Sequence, residues 1–182
     1  MIYESYPWRI GLKRIRNEFI ETNTEENFKL NDDRTYSILE QDIFLSAFII
    51  RKLIDCRSKV TDELRNYSFK VRAHKSIKKV TFFKRWPEDG CYDLENYERK
   101  VVSEKLICNS LIHSYIFWTA QESDNGPIYG FYVSSDKDKN KVLYYVDINQ
   151  YLDFINLGVN SEVTEQRFVY DPKLQDYKFF NK

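Results

Sequence analysis

The sequence predicts an α+β fold in which N-terminal helices, one of them central and buried, pack on a C-terminal antiparallel β-meander. Two observations carry this expectation. Apolar residues recur at helical spacing over much of 1–60, whereas 114–147 breaks into short aromatic and β-branched runs separated by turn chemistry. A third sets the scale: 182 residues suffice for one ordinary core, and no linker divides them. The expectation is one domain over 1–182, helical at about 1–60 and 93–113 and sheet-forming at about 67–83 and 114–181.

Pro7 suits a first helical turn, and Trp8, Leu12, Ile15 and Phe19 then fall on one helical face. The stretch ETNTEENFKLNDD (21–33) is acidic, rich in Asn and Thr, and reads as a loop. Ser37-Ile-Leu-Glu40 has capping-box spacing, which predicts a helix from there to about Arg57. Between Ile43 and Ile54 that helix is apolar on nearly every side, the mark of a buried element.

The run YSFKVRAHK alternates, with Tyr67, Phe69, Val71 and Ala73 on one side and Lys70, Arg72 and His74 on the other. That is the period of a half-buried strand, and VTFF at 80–83 is its expected antiparallel partner. Trp86-Pro-Glu-Asp-Gly90 is a turn. From Asp93 to about His113, Leu94, Tyr97, Val101, Cys108 and Ile112 recur near one helical face. SYIFWTA, IYGFYVSS and KVLYYVDI, separated by SDNGP and DKDKN, predict a three-stranded meander. Asp147 and Gln150 are spaced to cap a short helix, and Gly158 stands where a helix end takes a left-handed residue. VTEQRFVY and DYKFFN are the last strand candidates.

Composition removes several classes of function. With 31% charged and 42% hydrophobic residues the chain is neither a disordered polymer nor a membrane protein. IFLSAFII at 43–50 is too short to span a bilayer, and no apolar leader follows Met1. Cys56, Cys91 and Cys108 are odd in number and widely spaced, which suits reduced thiols and a cytoplasmic setting. No P-loop, Gly-rich dinucleotide loop, GxSxG or HExxH occurs. No cofactor and no metal are expected, since two histidines and three scattered cysteines do not build a zinc site.

Three features carry candidate chemistry. Between Arg65 and Pro87 stand eight Lys or Arg residues and no carboxylate. Arg72, Lys75, Lys78, Lys79, Lys84 and Arg85, with Trp86 interleaved, suit phosphates held by Coulomb attraction and bases stacked on rings. RNA or DNA is then the partner; the competing readings are neutralisation by the acidic 18–33 segment or a solvated hairpin. Next, Asn109 and His113 in ICNSLIHSY lie four apart, on one face if helical. An imidazole transfers protons near neutral pH and an amide holds it or a phosphate oxygen. Last, Arg51 interrupts an apolar helix and is expected either to pair with Asp55 or Glu40, or to supply a cation beside His113.

The segment NSLIHSY resembles the signature of the HEPN superfamily, Arg-Asn-x-x-x-His followed by a small residue and Tyr. Asn109, His113 and Tyr115 match, but Cys108 stands where the arginine belongs. The resemblance implies a metal-independent ribonuclease centre on His113; the missing arginine puts that activity in question. IFLSAFIIRKLID, NSLIHSYIF and DKDKNKVLYYVDI are also similar to a group of uncharacterised bacterial proteins of like length, which implies no activity. The sequence-based expectation is a non-catalytic or weakly catalytic nucleic-acid-associated domain. The alternatives are a ribonuclease centred on His113 with Asn109 and Arg51, and a module for assembly with a protein partner or with itself.

Overall fold

The computed structural model describes residues 2–123 and 125–182. Its organising element is α3 (Asp32–Asp55), along which Leu39, Ile43, Ala47, Ile50 and Leu53 have no exposed surface. Around it pack α1 (Tyr6–Thr22), α5 (Glu104–Ile112) and α6 (Ile148–Asn160). Two short helices, α2 (Glu25–Leu30) and α4 (Asp62–Arg65), fill the connections. Leu12 and Phe19 of α1 are buried and Trp8 packs at the rim, as the sequence spacing predicts.

The helices cover one face of a five-stranded antiparallel sheet of order β2-β1-β5-β4-β3. Its strands are β1 (Ser68–Lys75), β2 (Glu98–Ser103), β3 (Ser114–Gln121), β4 (Ile128–Ser135) and β5 (Val142–Asp147). The fold is α+β, and β3-β4-β5 is the expected meander. Asp147 caps α6, its carboxylate accepting from the Asn149 and Gln150 amides at 2.9 and 3.1 Å. No helix among the described residues is long and apolar enough to cross a membrane.

Several expectations are corrected. The segment 21–33 is not a loop, because its Asn and Thr residues act as caps. Thr24 accepts from the Asn27 amide at 3.3 Å to start α2, and Asn31 from the Arg34 amide at 3.0 Å to start α3. The central helix therefore begins before Ser37, whose hydroxyl donates to the Asp33 carbonyl at 2.8 Å inside the helix. Only the end of 93–113 is helical. Residues 98–103 form β2, an edge strand on which Val101 is 69% exposed. VTFF is no partner of β1, since β2 and β5 already occupy both of its edges. Gly158 lies inside α6 and serves close approach instead of termination. A Cβ there would stand 3.1 Å from Leu12 Cδ1 and 3.3 Å from Ile50 Cγ1.

The C-terminal strands do not join the main sheet. β6 (Gln166–Asp171) and β7 (Asp176–Asn181) form a separate hairpin. Asn181 ties it to the body, its amide donating to the Arg57 and Val60 carbonyls at 2.6 and 2.8 Å.

One charge inside this frame opposes it. Asp42 of α3 is buried, one of its oxygens has no hydrogen-bond partner, and burial, with Glu18 nearby, pushes its carboxyl up to about 7. The fold therefore binds an extra proton between about pH 4 and pH 7, and stability from this group falls as pH rises through that window. Asp42→Asn is expected to match the parent near pH 4.5 and to exceed it by roughly 2 kcal/mol at pH 8, read by urea denaturation at both pH values. Equal stability of the two proteins at pH 8 contradicts this account.

Candidate functional site

The sheet face turned away from the helices carries a transverse rung of large side chains. Strand register sets Arg99 opposite Arg72, Arg72 opposite Tyr145, Tyr145 opposite Tyr132, and Tyr132 opposite Trp118. The Arg72 guanidinium lies 4.9 Å from the Tyr145 ring centroid and 5.2 Å from that of Tyr97. Tyr132 stands 5.2 Å from Tyr145 and 6.1 Å from Trp118. Gly130 makes the close packing possible: a Cβ there would fall 2.4 Å from Tyr145 Oη. Burial, with Asp147 and Tyr129 nearby, pushes the Tyr145 hydroxyl up to about 12, so the ring stays neutral.

The segment 76–92 folds over part of this face. Val80, Cys91 and Tyr92 are buried against Ile116, Trp118 and Leu143 in a second apolar cluster, separate from the helical one. The Val80 amide donates to Asn140 Oδ1 at 2.8 Å. Pro87–Asp89 forms one 3-10 turn, ended by Gly90 at φ 57°, so the turn expected at 86–90 is present. Val80, Cys91 and Tyr92 turn inward, while Ile77, Phe82, Phe83 and Trp86 are exposed beside the segment's lysines. Its tip is a two-residue turn, Phe82-Phe83, closed by reciprocal backbone bonds between Thr81 and Lys84 at 3.1 and 3.2 Å.

The sequence-predicted cations are divided between the two faces of β1 and the segment that overlies the sheet. Arg72 belongs to the rung, whereas Lys75, which alternation places with Val71 and Ala73 on the other face of β1, borders a cavity of about 540 Å³ whose lining includes Tyr97, Lys100, Lys141 and the carboxylates Asp93 and Glu98. Lys78, Lys79 and Lys84 are exposed on the overlying segment. Arg85 lies over the Phe82 and Trp86 rings, 4.8 and 5.4 Å from their centroids. Among the described residues none of these six cations has a carboxylate within salt-bridge distance. Arg65 leaves the group, pairing with Asp62 at 3.2 Å next to the β6–β7 hairpin. No described ion pair joins 18–33 to this segment; Glu25 is engaged by Lys29 within α2. His74 is sealed between Tyr97 and Tyr132, with Nδ1 2.9 Å from the Asp93 carbonyl.

The second candidate group lies across the molecule, where α3 meets α5. Arg51 Nε donates to Asn109 Oδ1 at 2.9 Å, and the same guanidinium pairs with Asp55. His113 closes α5, its backbone amide donating to the Asn109 carbonyl at 3.0 Å. Its ring is exposed and makes no hydrogen bond to the described residues. Arg51 thus reaches Asn109, one turn before His113, and no hydrogen bond links it to the imidazole. Cys108, where the resembling motif has arginine, is buried, and burial pushes its thiol up to about 12. Among the described residues no group of three His, Cys, Asp or Glu side chains is placed to hold a metal ion.

Tyr97, Arg99, Trp118, Tyr132 and Tyr145 were not singled out by sequence reasoning. Only the pairing register brings them together, and the one available signal was alternation within each strand. No family model, curated protein or solved structure matches this chain, so the resemblance around NSLIHSY rests on those few residues.

Substitution at Gly130 tests the packing of the rung. Gly130→Ala is expected to drive the Tyr145 ring off the strand and to lower stability by about 2 kcal/mol in urea denaturation. An unchanged midpoint shows that the ring is not seated on the glycine.

Proposed function

We propose that the protein is a nucleic-acid-associated domain that holds RNA or DNA phosphates with Arg72, Lys75, Lys78, Lys79, Lys84 and Arg85, with Trp86 among them. The observation that carries this reading is that all six cations lack carboxylate partners among the described residues. A cation locked to an acid gives little attraction to a phosphate, whereas unpaired ones release counterions when they bind a polyanion. Buried Val80, Cys91 and Tyr92 anchor the segment, so less ordering accompanies binding. Three unpaired thiols suit a reducing, cytoplasmic location.

The expected measurement is a salt titration. For a single strand contacting four to six phosphates, log K should fall against log salt with a slope of about −3 to −4. Charge reversal at Lys78, Lys79, Lys84 and Arg85 together should remove binding at low salt. Salt-insensitive binding, or none at all, ends this reading.

The Arg51–Asn109 bond at 2.9 Å favours a second reading. A cation from another helix touches the Asn of the HEPN-like segment, whose own arginine position is Cys108. On this reading His113 is the acid-base group of a metal-independent ribonuclease, and Asn109 and Arg51 hold the phosphate. Purified protein should cleave RNA in the presence of chelator, with His113→Ala and Arg51→Ala both reducing the rate at least about 100-fold. Cleavage that survives His113→Ala removes His113 from the chemistry.

A further inference from the structure

We infer that the Thr81–Lys84 turn is a site for an unpaired nucleotide, stacking a base on Phe83 while Arg85 takes the neighbouring phosphate. This rests on the nucleic-acid reading and specifies what the surface takes. Phe83 is 86% exposed and Phe82 63%, at the corners of a turn closed by backbone bonds in both directions. Large rings held this far into water by a folded turn leave apolar surface uncovered at the tip. Their mutual contact is edge-to-face, with centroids 5.2 Å apart and planes at 90°, so Phe83 is not stacked on its neighbour.

Arg85 supplies the complementary half. Its guanidinium lies over both Phe82 and Trp86, which holds it near the tip without a carboxylate. Among the described residues it makes no side-chain hydrogen bond, and its Nε is shielded from water with no acceptor. A cation positioned by ring faces, with unsatisfied donors, suits a phosphate oxygen. Lys84 precedes it in sequence, and Lys84 and Lys79 are both exposed. Ring and guanidinium together match one nucleotide unit, a π face joined to a phosphodiester.

The same chemistry selects against paired strands. Bases in a duplex have their faces occupied by their stacked neighbours, leaving the rings nothing to stack on short of unstacking a step. A lipid surface offers a headgroup phosphate and an apolar boundary but no base face. An unpaired strand meets both groups at once.

Four probes of matched labelling separate the outcomes by fluorescence anisotropy at low salt: a single-stranded uridine 12-mer, an abasic phosphodiester 12-mer of equal charge, a 12-base-pair duplex, and vesicles containing phosphatidylserine. The uridine 12-mer is expected to bind best. Phe83→Ala should weaken it roughly 10-fold while leaving the abasic strand unchanged, and Phe83→Trp should restore it. Arg85→Lys, which keeps the charge but not the planar fork, should weaken both strands. Because Phe83 is so exposed, its substitution is expected to leave the fold intact, which circular dichroism checks. Equal binding of the abasic and uridine strands, indifferent to Phe83→Ala, overturns the stacking site and leaves phosphate binding standing. No binding to any strand overturns both. Vesicle binding alone, lost in Phe83→Ala, assigns the tip to a membrane surface instead.

Discussion

Tyr151 is the constraint on which the layers depend. Its hydroxyl donates to the Ile43 carbonyl at 2.8 Å and lies 3.0 Å from Ser46 Oγ, a polar contact inside an apolar core. Its ring meets Phe131 of β4 edge-on at 5.2 Å and stacks near Phe69 of β1 at 6.3 Å. One side chain of α6 thus fixes that helix against the middle of α3 and against two strands. Desolvation pushes the hydroxyl far above the ordinary tyrosine range, which keeps it neutral and able to donate. Replacing the ring removes packing on three sides; replacing only the hydroxyl removes two polar contacts but leaves Ser46 its bond to the Ile43 carbonyl.

With the helices fixed on one face, the sheet must still cover the other. A five-stranded sheet can leave that face in water, as antiparallel sheets commonly do. Here the alternation places Ile116, Trp118, Leu143 and Tyr145 outward, and all four are buried. The cover comes from the chain between β1 and β2, which returns over the sheet through Val80, Cys91 and Tyr92. The cover turns Val80, Cys91 and Tyr92 inward and leaves its lysines, with Ile77, Phe82, Phe83 and Trp86, in contact with water. The basic surface is therefore a consequence of how the second apolar cluster is closed, and the turn at 82–83 is what remains beyond it.

What the sequence revealed follows the range of the interactions involved. The α1 stripe, the meander turns, the Asp147 cap and the turn at Gly90 depend on residues a few positions apart, and their signals are local. β2 was hidden because Leu94, Tyr97 and Val101 mimic helical spacing, while the edge strand that holds Val101 is stabilised by pairing with β1. The sheet order, in which β1 sits between β2 and β5, is a long-range fact that no local pattern contains. The candidate cations were legible as composition, since a run without acids is visible in one dimension. The rung was not, apart from Arg72, because its five members, Arg99, Arg72, Tyr145, Tyr132 and Trp118, come from five strands and meet only through register. Arg51 and Asn109, 58 positions apart, were proposed together from a gap in a motif; their hydrogen bond needed the α3–α5 packing to exist.

In a chain of zero net charge, the 65–87 segment carries its cations without acids of its own. Acids cluster in the first turns of helices, Glu25 and Glu26 in α2, Asp32 and Asp33 in α3, Asp62 and Glu63 in α4. There the exposed backbone amides and the helix dipole favour negative charge, so these carboxylates are held on the helical side of the sheet. Asp32 is further engaged with the Asp33 amide at 2.8 Å, and Asp62 with Arg65. The segment 65–87 contains no helix of its own beyond its first residue and its Pro87 turn, and it carries no acids with which to neutralise itself. Helix-end electrostatics therefore account for these six carboxylates, while Glu88, Asp89, Asp93, Glu95 and Glu98 follow the 65–87 segment directly.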